Sequence, residues 1–393
     1  MVGAGLFSAF APAAHAAGAL VLLSLAVAAL VALCNAASSA QLAAQYPTSG
    51  GTYVYGRERL GPWWGFVAGW GFVIGKTASC AAMALVLAAY LVPTGWQKPV
   101  AVAAVVGLAA VNYRGITRTA RLTRVIVAVV LALLAVVLVT VALGGERAET
   151  LDVVAGTIGV GGVLQGAAIL FFAFAGYARI ATLGEEVVDP ARTIPRAILG
   201  AFAVVVPLYA LTGVVLLRAL GVDALATSPA PLRAAAATVT TGAWLQVIVV
   251  VAAAAATLGA LLALIAGVGR TALAMARQGD LPRPLAAVHE RYAVPHVAEV
   301  VVAVVVCVLI LLTDLRGAIG FSSFGVLTYY AVANASALTQ RPPHRRYPRV
   351  VPVVGLLGCV VLAFAVPTTS LVAGLVVLAI GLLGRLVLRR PAV

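Results

Sequence analysis

Long apolar runs alternate with short polar connections along this chain, and most of the runs are long enough for a membrane-spanning helix. About 20 consecutive apolar residues cross a bilayer as an α-helix, whereas strands of a membrane β-barrel alternate apolar and polar residues. The pattern therefore predicts an all-α membrane protein with about twelve spans, the first of them truncated. Their approximate bounds are 3–17, 20–43, 63–91, 99–113, 123–143, 158–183, 198–217, 243–275, 297–313, 319–338, 353–366 and 371–388.

Two polar connections contain further local signals. A short amphipathic segment that ends at Leu60 separates spans 2 and 3. Between spans 6 and 7, Pro190 and Pro195 lack a backbone N–H, so we expect them to end one helix and to start the next near Ile198.

The basic residues predict the orientation of the chain. With a cytoplasmic N-terminus, 19 of the 26 lysines and arginines fall in cytoplasmic connections or the C-terminal end, and five fall outside. Because Lys and Arg accumulate on the cytoplasmic side, we expect a multi-pass protein of the plasma membrane with both termini in the cytoplasm. Solvated cytoplasmic loops then explain the net charge of +14, and no nucleic-acid partner is expected.

Composition limits the functional class. A content of 63% hydrophobic and 10% charged residues excludes a soluble domain of this length. The four cysteines lie inside apolar runs without close spacing, which favours buried free thiols. The sequence contains no HExxH motif, P-loop or plausible Ser-His-Asp set, so we predict no enzyme, no cofactor and no metal site.

Glycines interrupt two of the apolar runs. Residues 171–179 (FFAFAGYAR) lie in span 6 and contain Gly176 and Arg179, and a charged arginine facing lipid costs about 2.5–3.5 kcal/mol. Residues 2–7 (VGAGLF) interrupt span 1 in the same way. Paired interruptions are typical of the substrate site of a secondary transporter. Either stretch alone is also compatible with close packing of helices through small residues.

Four sequence blocks resemble amino acid permeases of the amino acid–polyamine–organocation superfamily, and they occur in the family's order. They are residues 3–7 (GAGLF), 46–53 (YPTSGGTY), 172–195 with the FAFAG and PARTIP motifs, and 269–282, which ends in ARQGDLP. The resemblance implies the leucine-transporter fold in one transmembrane domain. Residues 1–144 and 158–340 would form two inverted repeats of five spans, with residues 350–393 as peripheral spans 11 and 12.

This resemblance implies a small-molecule substrate, an amino acid, in a lipid-embedded permease. Unpaired amide groups at the start of a half-helix suit its carboxylate, and carbonyls freed at the span 6 break suit its ammonium. Glycine would let the backbone approach the ligand. Phe172 matches the family's gating aromatic residue. The predicted substrate-binding residues are Gly3, Ala4, Gly5, Leu6, Phe172, Ala173, Phe174, Gly176 and Tyr177.

Two cations lie inside predicted spans. Lys76, near the middle of span 3, is our candidate for proton coupling, because a buried amine can exchange a proton near neutrality. The alternatives for Lys76 are an extension of its side chain to the interface and pairing with backbone carbonyls of span 1 or 6. We expect Arg179 to pack against carbonyls or against Glu185 and Glu186.

The chain departs from the family pattern at two places. Several members carry a lysine in helix 5 that replaces a sodium ion, and the aligned residue here is Val130. Members also have half a helix and a cytoplasmic tail before the glycine motif, where this sequence has Met1. We interpret this as a misplaced start or a truncated chain.

Three functions remain open from the sequence. The first is an amino acid permease, proton-coupled or an exchanger, whose substrate is neutral. The second is a polyamine or other amine transporter on the same fold. The lack of an acidic residue at mid-membrane argues against this alternative. The third is a non-transporting membrane scaffold or sensor, which the incomplete first span makes plausible.

Overall fold

The computed structural model describes residues 2–47, 50–115, 120–144, 159–177, 187–239 and 243–388. These residues form α-helices with short 3₁₀ turns and contain no extended strand. The α-helices are α1 (Ala4–Ser8), α2 (Phe10–Ala17), α3 (Val21–Gln45), α4 (Thr52–Leu60), α5 (Pro62–Leu91), α6 (Gln97–Tyr113), α7 (Ala120–Gly144), α8 (Val160–Phe174), α9 (Pro190–Thr227), α10 (Pro231–Ala237), α11 (Trp244–Arg277), α12 (His296–Leu312), α13 (Leu315–Leu338), α14 (Val350–Ala365) and α15 (Thr368–Leu388).

The prediction of an all-α, multi-pass membrane protein is confirmed. Eight helical segments among the described residues are long and apolar enough to cross a membrane, and α12 and α14 are shorter apolar helices. Every predicted span coincides with a helix, span 1 with α1 and α2 together. The amphipathic segment before span 3 is α4. Most helix ends lie within four residues of the predicted bounds.

Span 7 differs at both ends, because α9 begins at Pro190 rather than near Ile198 and ends at Thr227 rather than near Leu217. The α-helix of span 6 also ends early, at Phe174 rather than near residue 183. Pro190 occupies the first helical position, where a missing N–H has no cost. Pro195 was expected to mark a helix end, but it lies inside α9. A proline six residues into a helix leaves the carbonyl four residues earlier without its usual donor. That carbonyl, on Ala191, accepts a hydrogen bond of 3.2 Å from Arg346 Nη1 instead.

Helices α5 and α13 cross at a contact between glycines. A Cβ placed on Gly75 would lie 2.9 Å from the Val326 nitrogen, and one on Gly325 would lie 2.7 Å from the Gly75 Cα. One turn away, the hydroxyls of Ser79 and Ser322 are 2.6 Å apart. Small residues let two backbones approach in lipid, and a hydroxyl pair fixes their register. The two helices therefore form a tightly packed unit through the centre of the molecule.

The helix contacts recur in matching pairs. Helix α3 packs on α8 as α9 packs on α2, and α5 packs on α6 as α11 packs on α12. The α5–α13 crossing has its counterpart in the contact of α11 with α7. The packing of α2, α3, α5, α6 and α7 is thus matched by that of α8, α9, α11, α12 and α13.

A buried charge cluster joins three parts of the chain that the sequence places on the cytoplasmic side. The carboxylate of Asp280 accepts hydrogen bonds from Arg385 Nε at 2.8 Å, Arg57 Nη1 at 3.0 Å and the Tyr53 hydroxyl at 2.8 Å. Burial, together with the adjacent Asp280, raises the pKa of the Tyr53 phenol, which keeps it a donor. Arg385 was expected among the solvated basic residues, but its side chain is 0% exposed. It lies over the ring of Trp63 at 4.3 Å and pairs with Asp280, which compensates for its burial.

Candidate functional site

Helices α1 and α8 meet at the two glycine-interrupted stretches singled out in the sequence. A Cβ on Gly5 would lie 2.4 Å from the Cα of Ala173 and 2.7 Å from its Cβ, which is closer than real atoms approach. Gly5 therefore permits a close helix crossing. A Cβ on Gly3 would be 3.5 Å from the Cβ of Ala260 on α11, which is ordinary contact. The first turn of α1 thus lies between α8 and α11.

The start of α1 presents amide groups that have no partner earlier in the same helix. The first amides of any helix precede its first complete turn, and here these belong to Ala4 and Gly5. The amide of Leu6, also expected to face the substrate, donates to the carbonyl of Gly3 at 3.2 Å. The Ser8 hydroxyl donates to the carbonyl of Ala4 at 2.8 Å. Amide donors for an anion are therefore concentrated at the first two residues of α1.

At its other side, the crossing is formed by the end of α8. The α-helix stops at Phe174, and a 3₁₀ turn continues through residues 175–177. Carbonyls at this end lose their regular helix partners, and two of them accept side-chain donors instead. The Tyr209 hydroxyl lies 3.0 Å from the carbonyl of Ala173, and Lys76 Nζ lies 2.8 Å from that of Ala175. The end of α8 is thus an acceptor-rich terminus already occupied by one cation.

Lys76 lies deep inside the protein. The residue is 5% exposed, and α5 places it beside the end of α8 rather than at the membrane interface. A cation at a helix C-terminus is stabilised by the helix dipole and by the carbonyls that lack a partner. Of the alternatives raised for Lys76, the geometry matches pairing with a carbonyl of span 6.

Phe172 and Tyr177, two of the predicted aromatic residues, are both buried, and Phe172 is 6% exposed. Tyr177 is fully buried, stacks on Tyr330 with ring centroids 5.0 Å apart, and its hydroxyl lies 3.4 Å from the carbonyl of Ala32. It belongs to an aromatic cluster around the end of α8. The members of this cluster are Phe72, Phe171, Phe174, Tyr177, Phe202, Tyr209, Tyr329 and Tyr330.

A cavity of about 490 Å³ opens from the opposite end of α1, on the side that the sequence predicts to be extracellular. Ser8 lies at the end of this cavity nearest the α1–α8 crossing, and residues of α2, α5 and the segment before α10 form its walls. We call it the outer cavity. Its charged and imidazole side chains are His15, Lys98, Asp314 and Arg316.

Tyr90 connects α1 to α10, which lines a neighbouring cavity of about 360 Å³. Its hydroxyl donates to the carbonyl of Phe7 at 2.8 Å and accepts from the amide of Leu232, at the start of α10, at 3.4 Å. The rings of Phe7 and Tyr90 also meet edge to face, with centroids 5.7 Å apart.

Two further residues singled out in the sequence do not take part in the Gly5–Ala173 contact. Gly176 is in the 3₁₀ turn and is exposed, and Val130 is buried in α7. The predicted partners Arg179, Glu185 and Glu186 lie outside the described residues.

Sequence reasoning missed Tyr209, Tyr90 and Arg316. A signal existed for the two tyrosines, since a phenol inside an apolar span needs a hydrogen-bond partner. Arg316 was read only as a basic residue of an outside loop.

An all-helical membrane bundle with a half-helix that ends beside the start of another defines a protein of the transporter class. A family model described as "Amino acid permease" matches residues 1–381, so this chain belongs to the amino acid permease family. The chain is 58% identical over 382 residues to an uncharacterized transporter of Mycobacterium tuberculosis, covering 97% of this chain and 86% of the relative.

Two further relatives are named for the substrates that they transport. The branched-chain amino acid permease BcaP of Bacillus subtilis is 26% identical over an alignment of 421 residues, gaps included, which covers 97% of this chain and 88% of the relative. The low-affinity putrescine importer PlaP of Escherichia coli is 29% identical over 377 residues, 89% of this chain and 82% of the relative.

Proposed function

We propose that this permease moves an amino acid, a neutral one, across the plasma membrane by alternating access, coupled to protons or by exchange. One observation carries the proposal: the donor-rich start of α1 and the acceptor-rich end of α8 meet at the Gly5–Ala173 crossing. A free amino acid has one anionic and one cationic group on the same carbon, so it matches two such termini side by side.

In this proposal the amides of Ala4 and Gly5 bind the carboxylate, and carbonyls at the end of α8 bind the ammonium. The substrate site comprises the nine residues named from the sequence. Phe172 covers the ligand, while Tyr177 supports the site from within the aromatic cluster. Because the recognition uses backbone groups, the amino acid side chain sets specificity elsewhere in the pocket.

Two inverted repeats, residues 1–144 and 158–340, would move against each other around this site. The matched packing of α5 with α6 and α11 with α12 supports this division. The distribution of basic residues supports cytoplasmic termini.

Lys76 is the proposed coupling residue. Its ammonium holds the end of α8 through the carbonyl of Ala175. Loss of the proton removes the charge and one donor, which weakens this hold. A proton delivered to Lys76 would therefore link protonation to the position of α8.

A second candidate, transport of an amine such as putrescine, is favoured by one observation, the similarity to a putrescine importer. Against it, none of the described residues at the α1–α8 crossing is acidic. A dication would meet the ammonium of Lys76 without a carboxylate to compensate.

Uptake by the purified protein in liposomes tests the proposed function. Radiolabelled amino acids, offered singly, and putrescine are compared with and without an imposed pH gradient. Saturable uptake of at least one amino acid in excess of protein-free liposomes is expected. Uptake of putrescine alone would favour the amine candidate, and uptake of none would refute the proposed function.

A further inference from the structure

The outer cavity carries more positive than negative charge. Lys98 at the start of α6 and Arg316 in the first turn of α13 line it, and Asp314 is the one carboxylate among its described lining residues. A neighbouring cavity of about 360 Å³ shares five lining residues with it and contains Arg233 as its charged side chain. Three cations therefore line these two adjoining cavities, two of them in the cavity that reaches α1.

The single acidic group is already engaged by the backbone. Asp314 precedes α13, and its Oδ1 accepts a hydrogen bond of 2.8 Å from the amide of Gly317. This bond caps the helix and uses part of the carboxylate's acceptor capacity. Asp314 therefore attracts an ammonium group less strongly than a carboxylate without this hydrogen bond would.

The cations, in contrast, keep unused donor capacity. Nη2 of Arg316 makes one long hydrogen bond, 3.4 Å to Gln165 Oε1 on α8, and its Nε has no hydrogen-bond partner. These two nitrogens form one edge of the guanidinium, and its Nε is buried. A carboxylate would bind this edge through two parallel bonds once the side chain turns Nε toward the cavity. Lys98 Nζ donates to the carbonyl of Leu311 at 2.7 Å, and an ammonium has three donors.

We propose that the outer cavity is a docking site for the carboxylate of the entering substrate, with Arg316 and Lys98 as its anion-binding residues. This inference rests on the proposed function and narrows it to substrates that carry a carboxylate. Dications such as putrescine are repelled before they reach the α1–α8 crossing. Since Arg316 also contacts Gln165, its engagement by a carboxylate would break this one hydrogen bond between α13 and α8.

Charge at a mouth acts mainly on encounter, so the expected effect is on KM and on salt dependence. Arg316→Gln and Lys98→Gln should each raise the KM for leucine uptake about fivefold, with little change in kcat, and the double variant should raise it further. The wild-type KM should rise with ionic strength, and that rise should be smaller in the double variant.

Competition separates a carboxylate site from a general effect of charge. Leucine should inhibit uptake of tracer leucine far better than leucinamide, which lacks the carboxylate, and putrescine should be a weak inhibitor. In the Arg316→Glu variant, inhibition by leucinamide and putrescine should strengthen. Arg218→Gln is the matched control, because this exposed arginine on the same predicted side lines neither cavity.

Arg316→Lys tests whether loss of folding explains the result, since it keeps the charge and removes the two-nitrogen edge. A KM between those of the wild type and Arg316→Gln, with an unchanged elution profile, supports the site. An unchanged KM in the double variant, with wild-type leucine uptake intact, overturns this inference alone. A wild-type protein that takes up no amino acid refutes the proposed function, and the docking site falls with it.

Discussion

The ammonium of Lys76 lies 2.8 Å from the carbonyl oxygen of Ala175, so a cation from α5 occupies the C-terminal end of the interrupted helix α8. The two residues are 99 positions apart in sequence. A hydrogen bond that involves a charged group contributes about 1.5–3 kcal/mol, enough to bias the position of a helix end. This contact makes the charge of Lys76 the first property to test.

Lys76→Met should abolish accumulation driven by a pH gradient, because the variant can neither carry a proton nor hold α8. Lys76→Arg should also lose that accumulation while it retains exchange, because arginine stays protonated. Thr77→Val on the next residue is the control, since its hydroxyl bonds only within α5. Gradient-driven and counterflow uptake in liposomes measure the two activities. Full gradient-driven accumulation by Lys76→Met would show that coupling uses another group.

Gly5→Ala should abolish binding of the amino acid taken up in the liposome assay, because the added Cβ would meet the Ala173 backbone at 2.4 Å and force α1 away from α8. Gly161→Ala in α8 is the control, since a Cβ there would meet nothing within 4 Å and Gly161 is not part of the proposed site. A scintillation proximity assay on equal amounts of folded protein measures binding. Equal losses in both variants would contradict the crossing as the cause.

Gly75→Ala should lower thermal stability by about 1–3 kcal/mol, because a Cβ there overpacks the α5–α13 crossing. Gly107→Ala in α6 meets nothing within 4 Å and should be neutral or slightly stabilising. Thermal unfolding of detergent-solubilised protein, followed by size-exclusion fluorescence, compares the two. A melting temperature for Gly75→Ala that matches Gly107→Ala would argue against a rigid crossing.

Arg385→Met should destabilise the protein by about 3–5 kcal/mol, because Asp280 would lose a buried partner at 2.8 Å. Arg57 remains next to Asp280, which places the expected value at the lower end of that range. Arg192→Gln breaks an exposed pair at 3.9 Å and should change stability by less than about 1 kcal/mol. The same unfolding assay applies, and similar values for both variants would mean that the buried cluster contributes little.

The helices were predictable from sequence because length and hydropathy alone require them in a bilayer. The α9 start was missed because Pro195 was taken as the end of a helix, whereas it lies near the start of α9, where the carbonyl that it leaves without a donor bonds to Arg346, about 150 residues later in the chain. The burial of Arg385 was missed for a similar reason. An arginine near a basic chain end has the local pattern of a solvated residue, and only the fold brings Asp280 and Trp63 to it.

The candidate site was predictable in location and less so in detail. The glycine stretches identified α1 and α8, and Lys76 was recognised as an intramembrane cation. Local sequence does not reveal that Gly5 faces Ala173 rather than open space, nor that Tyr209 bonds to the carbonyl beside it. Such facts depend on which helix faces meet, and contacts between distant segments decide that.

The phenol of Tyr90 links α1 to the neighbouring cavity of about 360 Å³, because α10 lines that cavity. One oxygen atom is shared by the backbone of α1 and the first turn of α10, at 2.8 Å from the carbonyl of Phe7 and 3.4 Å from the amide of Leu232. Arg233 of α10 also donates to the backbone carbonyl of Tyr90 at 3.3 Å. A single residue of α5 therefore couples the half-helix at the α1–α8 crossing to a helix that lines a cavity on the predicted outer side.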